Sequence, residues 1–180
     1  MKNLKSKKQN TLTLVLFAIY LLALTWLILF KLQFSIPDMH GERVINPIPF
    51  LGSFCDSGMI QFSEIRNNIL VFIPFGIYLC MLKTPWPFVK KLLAIAGLAF
   101  AFEIIQFIFA IGRADITDVL SNTLGGIIGI GIYALLAKAL KGRTNKVINV
   151  LAAVFTILAI LLVILLLMIE YNKVRNFEKV

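Results

Sequence analysis

The residue in this chain whose place calls most for a chemical explanation is a carboxylate inside an apolar helix. Glu103 lies in Phe-Ala-Phe-Glu-Ile-Ile-Gln-Phe, eight residues before Ile111 at the expected end of its span. At 1.5 Å per residue that is roughly 12 Å deep, near a bilayer midplane. A carboxylate there costs at least a few kcal/mol and usually faces a bundle interior or a wet cavity. Gln106, three residues on, shares its face, and aromatic residues at 100, 102, 107 and 109 surround the pair. Two readings stand: a hydrogen-bonded group that glues helices together, or a buried acid at work in a cavity.

The next polar set is Gly112-Arg113-Ala114-Asp115-Ile116-Thr117-Asp118. Asp115 can cap the following helix, and Asp118 falls in its first turn, where the helix dipole favours an acid. Capping does not account for Asn122. Asp115, Asp118 and Asn122 form one helical stripe that Gly125 and Gly129 continue, with Gly126 and Gly131 near it. That stripe reads as polar at its outer end and closely packed below. Glu103, Asp115 and Asp118 are the candidates for catalysis, since carboxylates at different depths could divide acid and base roles. With Asn122 they could also offer hard oxygen ligands to Mg²⁺ or Ca²⁺, but spacing alone does not bring them together, and no metal or cofactor is assigned. The chain has no nucleophile elbow, no His-Glu-x-x-His and no phosphate-cradling glycine loop. A single histidine, His40, and two cysteines, Cys55 and Cys80, exclude a His/Cys zinc site and a disulfide framework.

A third set precedes both. In Asn46-Pro47-Ile48-Pro49-Phe50 two prolines fix φ and remove donors, which predicts a rigid extended or folded-back segment. Arg66, Asn67 and Asn68 then mark the end of a short apolar run containing Ile73-Pro74-Phe75-Gly76. A proline there implies a kink and a freed carbonyl that a neighbour or water must satisfy.

These residues need a scaffold, and the composition names it. The 180 residues are 59% hydrophobic and 15% charged, with a mean hydropathy of +0.90. A soluble domain is nearer about 45–50% apolar and about 25% charged. The sequence predicts an all-α integral membrane protein, one membrane domain over 1–180, with five transmembrane helices at about 11–30, 67–82, 92–111, 119–140 and 147–169. The first is too long for a signal core and lacks a small-residue cleavage site, so it reads as an uncleaved anchor. Alternate connections hold 11 of the 18 basic residues and no acid: the four lysines before residue 9, Lys83, Lys90 and Lys91, and the stretch Lys138 to Lys146. Eight of the nine acids fall in the others, Glu103 being the ninth. Positive-inside bias then sets the N-terminus inside and the C-terminus outside, with Trp26 and Trp86 at the two interfaces. The formal +9 therefore records orientation and attraction to anionic lipid, and no nucleic-acid partner is expected.

The run Glu103-x2-Gln106-x6-Arg113-x-Asp115-x2-Asp118-x3-Asn122-x2-Gly125-x3-Gly129 resembles the signature of the VanZ-like family of membrane proteins. The blocks Asn46-Pro47-Ile48-Pro49-Phe50, and Asn68 with Phe72-Ile73-Pro74-Phe75-Gly76, fit it too, so the resemblance covers about 11–140. Residues 25–33 and 102–110 are similar to its members associated with teicoplanin resistance in Gram-positive bacteria. The resemblance implies reduced susceptibility to teicoplanin-type lipoglycopeptides, in a multi-pass protein of the cell membrane. The expected mode is binding of a lipid-linked cell-wall precursor, or of the lipidated drug, at the outer leaflet. The residues expected to bind are Glu103, Gln106, Arg113, Asp115, Asp118, Asn122, Asn68 and Arg66. The alternative is an intramembrane enzyme that modifies a lipid-linked envelope substrate with Glu103, Asp115 and Asp118. A proton-linked transporter ranks last, because no internal repeat and no acid near a cytoplasmic helix end supply an inward half-pathway.

Overall fold

The computed structural model describes residues 2–30, 45–49, 62–110 and 114–177. His40, Phe50, Cys55 and Arg113 lie outside them. The described chain is a helical bundle: α1 (Lys2–Phe30), β1 (Ile45–Asn46), α2 (Phe62–Leu82), α3 (Phe88–Phe109), β2 (Ala114–Asp115), α4 (Ile116–Leu140), a 3₁₀ turn at Lys141–Arg143, and α5 (Thr144–Phe177). Among the described residues four helical stretches are long and apolar enough to cross a membrane: Gln9–Leu29, Phe62–Leu82, Phe88–Phe109 and Ile116–Ile169. The last joins α4 to α5 through Lys141, where φ is 49° and the α-helix is interrupted. The helices extend past the apolar runs at several ends, as in the polar residues Lys2–Lys8 and Ser63–Arg66. Hydropathy marks what suits lipid, whereas backbone hydrogen bonds continue through polar residues of good helix propensity.

Glycine decides the centre of the bundle. A Cβ on Gly125 would strike the Ile69 carbonyl, and one on Gly129 the Ile73 carbonyl. A Cβ on Gly76 would strike the carbonyl of Gly126 in return. The matched offset means that α2 and α4 run parallel with their backbones in contact, which only small residues permit. Gly131, by contrast, has open space beside it and takes no part in the seam. On its other side Gly126 receives the Ile95 side chain of α3. Leu24, Ile28, Phe72, Phe75, Ile95 and Phe102 pack around this pair as the main core, drawing in α1 and α3.

Pro74 lies inside α2, where its missing N–H breaks the helical ladder. The Tyr20 hydroxyl of α1 enters at that level and donates to the Val71 carbonyl at 2.7 Å. The carbonyl that Pro74 deprives of its helical donor is that of Leu70, one residue earlier, so the Tyr20 hydroxyl bonds beside the break.

At the other end α5 docks through a polar clamp. Asn149 Nδ2 donates to Thr13 Oγ1 at 2.8 Å, and both residues are buried. Thr13 Oγ1 also donates to the Gln9 carbonyl at 2.9 Å. Ile148 packs with Leu16, Tyr78 and Met81. Beyond Leu158 the apolar side chains of α5 are exposed as far as Ile169, as suits a surface that meets lipid rather than protein. At the connection before α3, the Lys83 ammonium stands over the Trp86 ring, 5.3 Å from its centroid.

Candidate functional site

The polar residues gather at one end of the bundle, where α1 and α3 finish and α2 and α4 begin. Glu103 Oε2 accepts the backbone N–H of Asp115 at 2.8 Å. Asp115 Oδ1 accepts the N–H of Thr117 at 2.8 Å and so caps α4. The Asn46 amide reaches Asp115 Oδ2 at 3.5 Å. Ile45 and Asn46 pair in parallel with Ala114 and Asp115, so the proline-rich segment is tied to the α3–α4 connection. Of the segment Asn46–Phe50, expected to be extended or folded back, Asn46 is in the ladder, Ile48 and Pro49 form a bend and turn, and Phe50 lies outside the described residues.

Glu103 is only 5% exposed. Because α3 ends at Phe109, it lies six residues from the helix end, roughly 9 Å along the axis and shallower than the expected span placed it. Ala110 closes the helix in the left-handed conformation (φ 51°), which turns the chain so that Asp115 meets the carboxylate. Gln106, also buried, donates through Nε2 to the Ile28 carbonyl of α1 at 3.1 Å. Both residues therefore join elements, as the structural reading of the pair required.

One turn along α4, Asp118 Oδ1 accepts from Asn68 Nδ2 of α2 at 2.7 Å. Asn122, 1% exposed, lies a turn deeper. Among the described residues Gln106 Oε1 and Asn122 Oδ1 are buried acceptors without a hydrogen-bond donor. Ser121 instead turns back on its own helix, donating to the Thr117 carbonyl at 2.8 Å.

Beside this network a cleft of about 430 Å³ opens between α1 and α2. Leu27, Ile28, Leu70 and Val71 form its apolar lining, and Glu64, Asn67, Asn68 and Asp118 its polar lining. Of the eight residues expected to bind, Asn68 and Asp118 line this cleft. Glu103, Gln106 and Asn122 are buried in the bundle, and Asp115 is engaged in the cap and the two-strand ladder. Arg66 is exposed, lies against Asn67 at 3.4 Å and lines a separate cleft with Phe62, Ile65 and Ile69. Arg113 falls outside the described residues. Glu64 and Asn67 were not among the expected binding residues. Their signal was the one-turn spacing from Glu64 to Asn68, which puts both on one face of α2. Among the described residues Glu103, Asp115 and Asp118 do not form a group that could hold a metal ion.

Long apolar helices packed on a small-residue seam, with a carboxylate–amide network gathered at one end, define a helical membrane protein. Residues 17–137 match the VanZ/LLP1 family model, and the chain belongs to that family. It is similar to the protein VanZ of Enterococcus faecium, at 39% identity over 164 residues that cover 90% of this chain and 94% of that relative. No solved structure matches it significantly.

Proposed function

We infer that this protein lowers susceptibility to teicoplanin-type lipoglycopeptides, and that it acts at the outer leaflet of the cell membrane. The observation that carries the reading is the likeness to protein VanZ along nearly the whole of both chains. The cleft supports a binding role: its apolar lining suits a fatty chain and its carboxylates and amides suit a polar head. The ligand is either a lipid-linked cell-wall precursor or the lipidated drug.

The chain crosses the membrane five times, with the N-terminus inside and the C-terminus outside. Ile116–Ile169 contains 54 residues, about 80 Å of helix against about 30 Å of hydrocarbon, so it must turn back once. The break at Lys141, beside Arg143 and Lys146, is where it does so. Positive-inside bias puts that basic turn on the cytoplasmic side, which leaves Asp115, Asp118 and Asn68 on the cell-wall side.

The enzymatic alternative draws on the same acids. In its favour is only their proximity; the hydrogen bonds each makes to backbone or amide groups are those of a scaffold. Expression in a teicoplanin-susceptible Gram-positive host tests the proposal. The expected outcome is a raised inhibitory concentration for teicoplanin with vancomycin barely moved. Equal protection against both drugs would remove the fatty chain from the account, and protection against neither would remove the function. A new lipid or muropeptide species in mass spectra of the expressing cells, lost in Asp118→Asn, would favour the enzyme.

A further inference from the structure

We propose that the end of the bundle opposite the carboxylate network holds one anionic phospholipid by its phosphate head, where the α2–α3 connection meets the α4–α5 turn. Packing brings these two connections together. Met81, two residues before Lys83, shares a buried cluster with Ile148, two residues after Lys146. Leu136, two residues before Lys138, packs against the same cluster. The Tyr133 hydroxyl of α4 donates to Asn145 Oδ1 of α5 at 3.0 Å and fixes the turn between them. Lys83, Lys90, Lys138, Lys141, Arg143 and Lys146 are all exposed at this end.

The charge there is one-signed. Residues 65–102 and 119–169, which form both connections and their flanking helices, contain no Asp or Glu. Glu64, Glu103, Asp115 and Asp118 stand near the far ends of α2, α3 and α4. Helix dipoles then sort the cations. Lys138 lies in the last turn of α4, where the dipole favours a positive charge. Lys90, Lys91 and Lys146 fall in the first turns of α3 and α5, which hold no acid, and there the dipole opposes them. Orientation by positive charge is indifferent to such placement. Three lysines set against helix dipoles, with no carboxylate beside them, call for an anion from outside the chain.

Adjacent apolar groups make that anion a lipid. The Trp86 N–H donates to the Lys83 carbonyl at 2.9 Å, and Pro85 and Pro87 fix φ on either side of the ring. The turn so formed holds the Lys83 ammonium over the indole, setting a cation beside an interfacial aromatic before any ligand arrives. Next in the chain, Phe88 and Val89 are 51% and 60% exposed. Acyl chains cover this apolar surface while the phosphate accepts charge-assisted hydrogen bonds from the ammonium groups.

Native mass spectrometry of the full-length protein in detergent tests this, with phosphatidylglycerol and phosphatidylcholine as probes. The expected result is one retained phosphatidylglycerol, bound at least about tenfold more tightly than phosphatidylcholine and not displaced by inorganic phosphate. Lys90→Gln with Lys146→Gln should weaken it about tenfold, and Lys90→Arg with Lys146→Arg should keep it. Lys138→Gln with Lys141→Gln removes the same charge where a helix C-terminus already offsets it, and should cost about threefold or less. Equal losses from the two glutamine pairs would reduce the site to diffuse attraction and overturn the proposal. Retention that survives Lys90→Gln with Lys146→Gln, loss in the arginine pair, or displacement by inorganic phosphate would do so too. The site depends neither on drug protection nor on which side of the membrane this end faces, so its failure leaves the proposed function standing.

Discussion

Asp115 shows how much one residue can organise. Its N–H meets Glu103, its side chain caps α4 and reaches Asn46, and its backbone pairs with the proline-rich segment. Asp115→Ala removes the cap and should cost about 1 kcal/mol. Asp115→Asn caps equally well, so it should keep wild-type thermal stability in detergent. If both variants unfold alike, the cap is not what Asp115 contributes to stability. If Asp115→Asn is stable yet no longer protects cells, the negative charge itself is used. Sequence carried much of this scale. A carboxylate before an apolar run reads as a cap, and an acid amid aromatics reads as buried. It could not carry which donor Glu103 takes, because that depends on Ala110 turning the chain back through a left-handed conformation. Arg66 illustrates the limit from the other side: its place in the sequence beside Asn68 suggested one site, and the helix carries the two residues to different clefts.

At the scale of elements, the parallel pair α2 and α4 positions everything else. Asn68 meets Asp118 because Ile69 lies against Gly125 and Ile73 against Gly129, about two and three turns further along α4. Gly125→Ala and Gly129→Ala would each push a methyl into a backbone carbonyl, which cannot retreat as a flexible side chain does. Each should destabilise the bundle by roughly 1–3 kcal/mol, and Gly131→Ala, with space around it, should leave the unfolding temperature unchanged. Equal stability of all three variants would show that the helices do not meet as closely as this seam requires. The small-residue stripe was legible from residue spacing, as was the need for a partner at Pro74. That Tyr20 reaches α2 beside this proline, and that Asn149 clamps Thr13, was not. Both join residues far apart in the chain, and no local periodicity encodes which polar groups meet across a bundle.

For the whole molecule, the proposed orientation sorts the net charge of +9 by side of the membrane. In that orientation Lys83, Lys90, Lys91 and the basic turn Lys141–Arg143 face the cytoplasm and the carboxylate network the opposite side. Single cysteines in a background lacking Cys55 and Cys80 check this in intact cells. A membrane-impermeant maleimide should label Asn172→Cys and spare Gly142→Cys; the reverse pattern would invert the orientation and move the network to the cytoplasm. The all-helical fold and the long apolar helices were readable from hydropathy alone, whereas helix ends shifted by a few residues because polar residues prolong helices beyond lipid. The central claim is that the polar end protects cells against a lipid-tailed glycopeptide. Its most direct test is the teicoplanin susceptibility of cells carrying Glu103→Gln, matched to wild type for membrane abundance. The substitution keeps an oxygen to accept from the Asp115 amide and removes the charge. Loss of teicoplanin protection to the level of cells without the protein, with vancomycin susceptibility unchanged, is the result predicted. Wild-type protection from an equally abundant Glu103→Gln protein would contradict it.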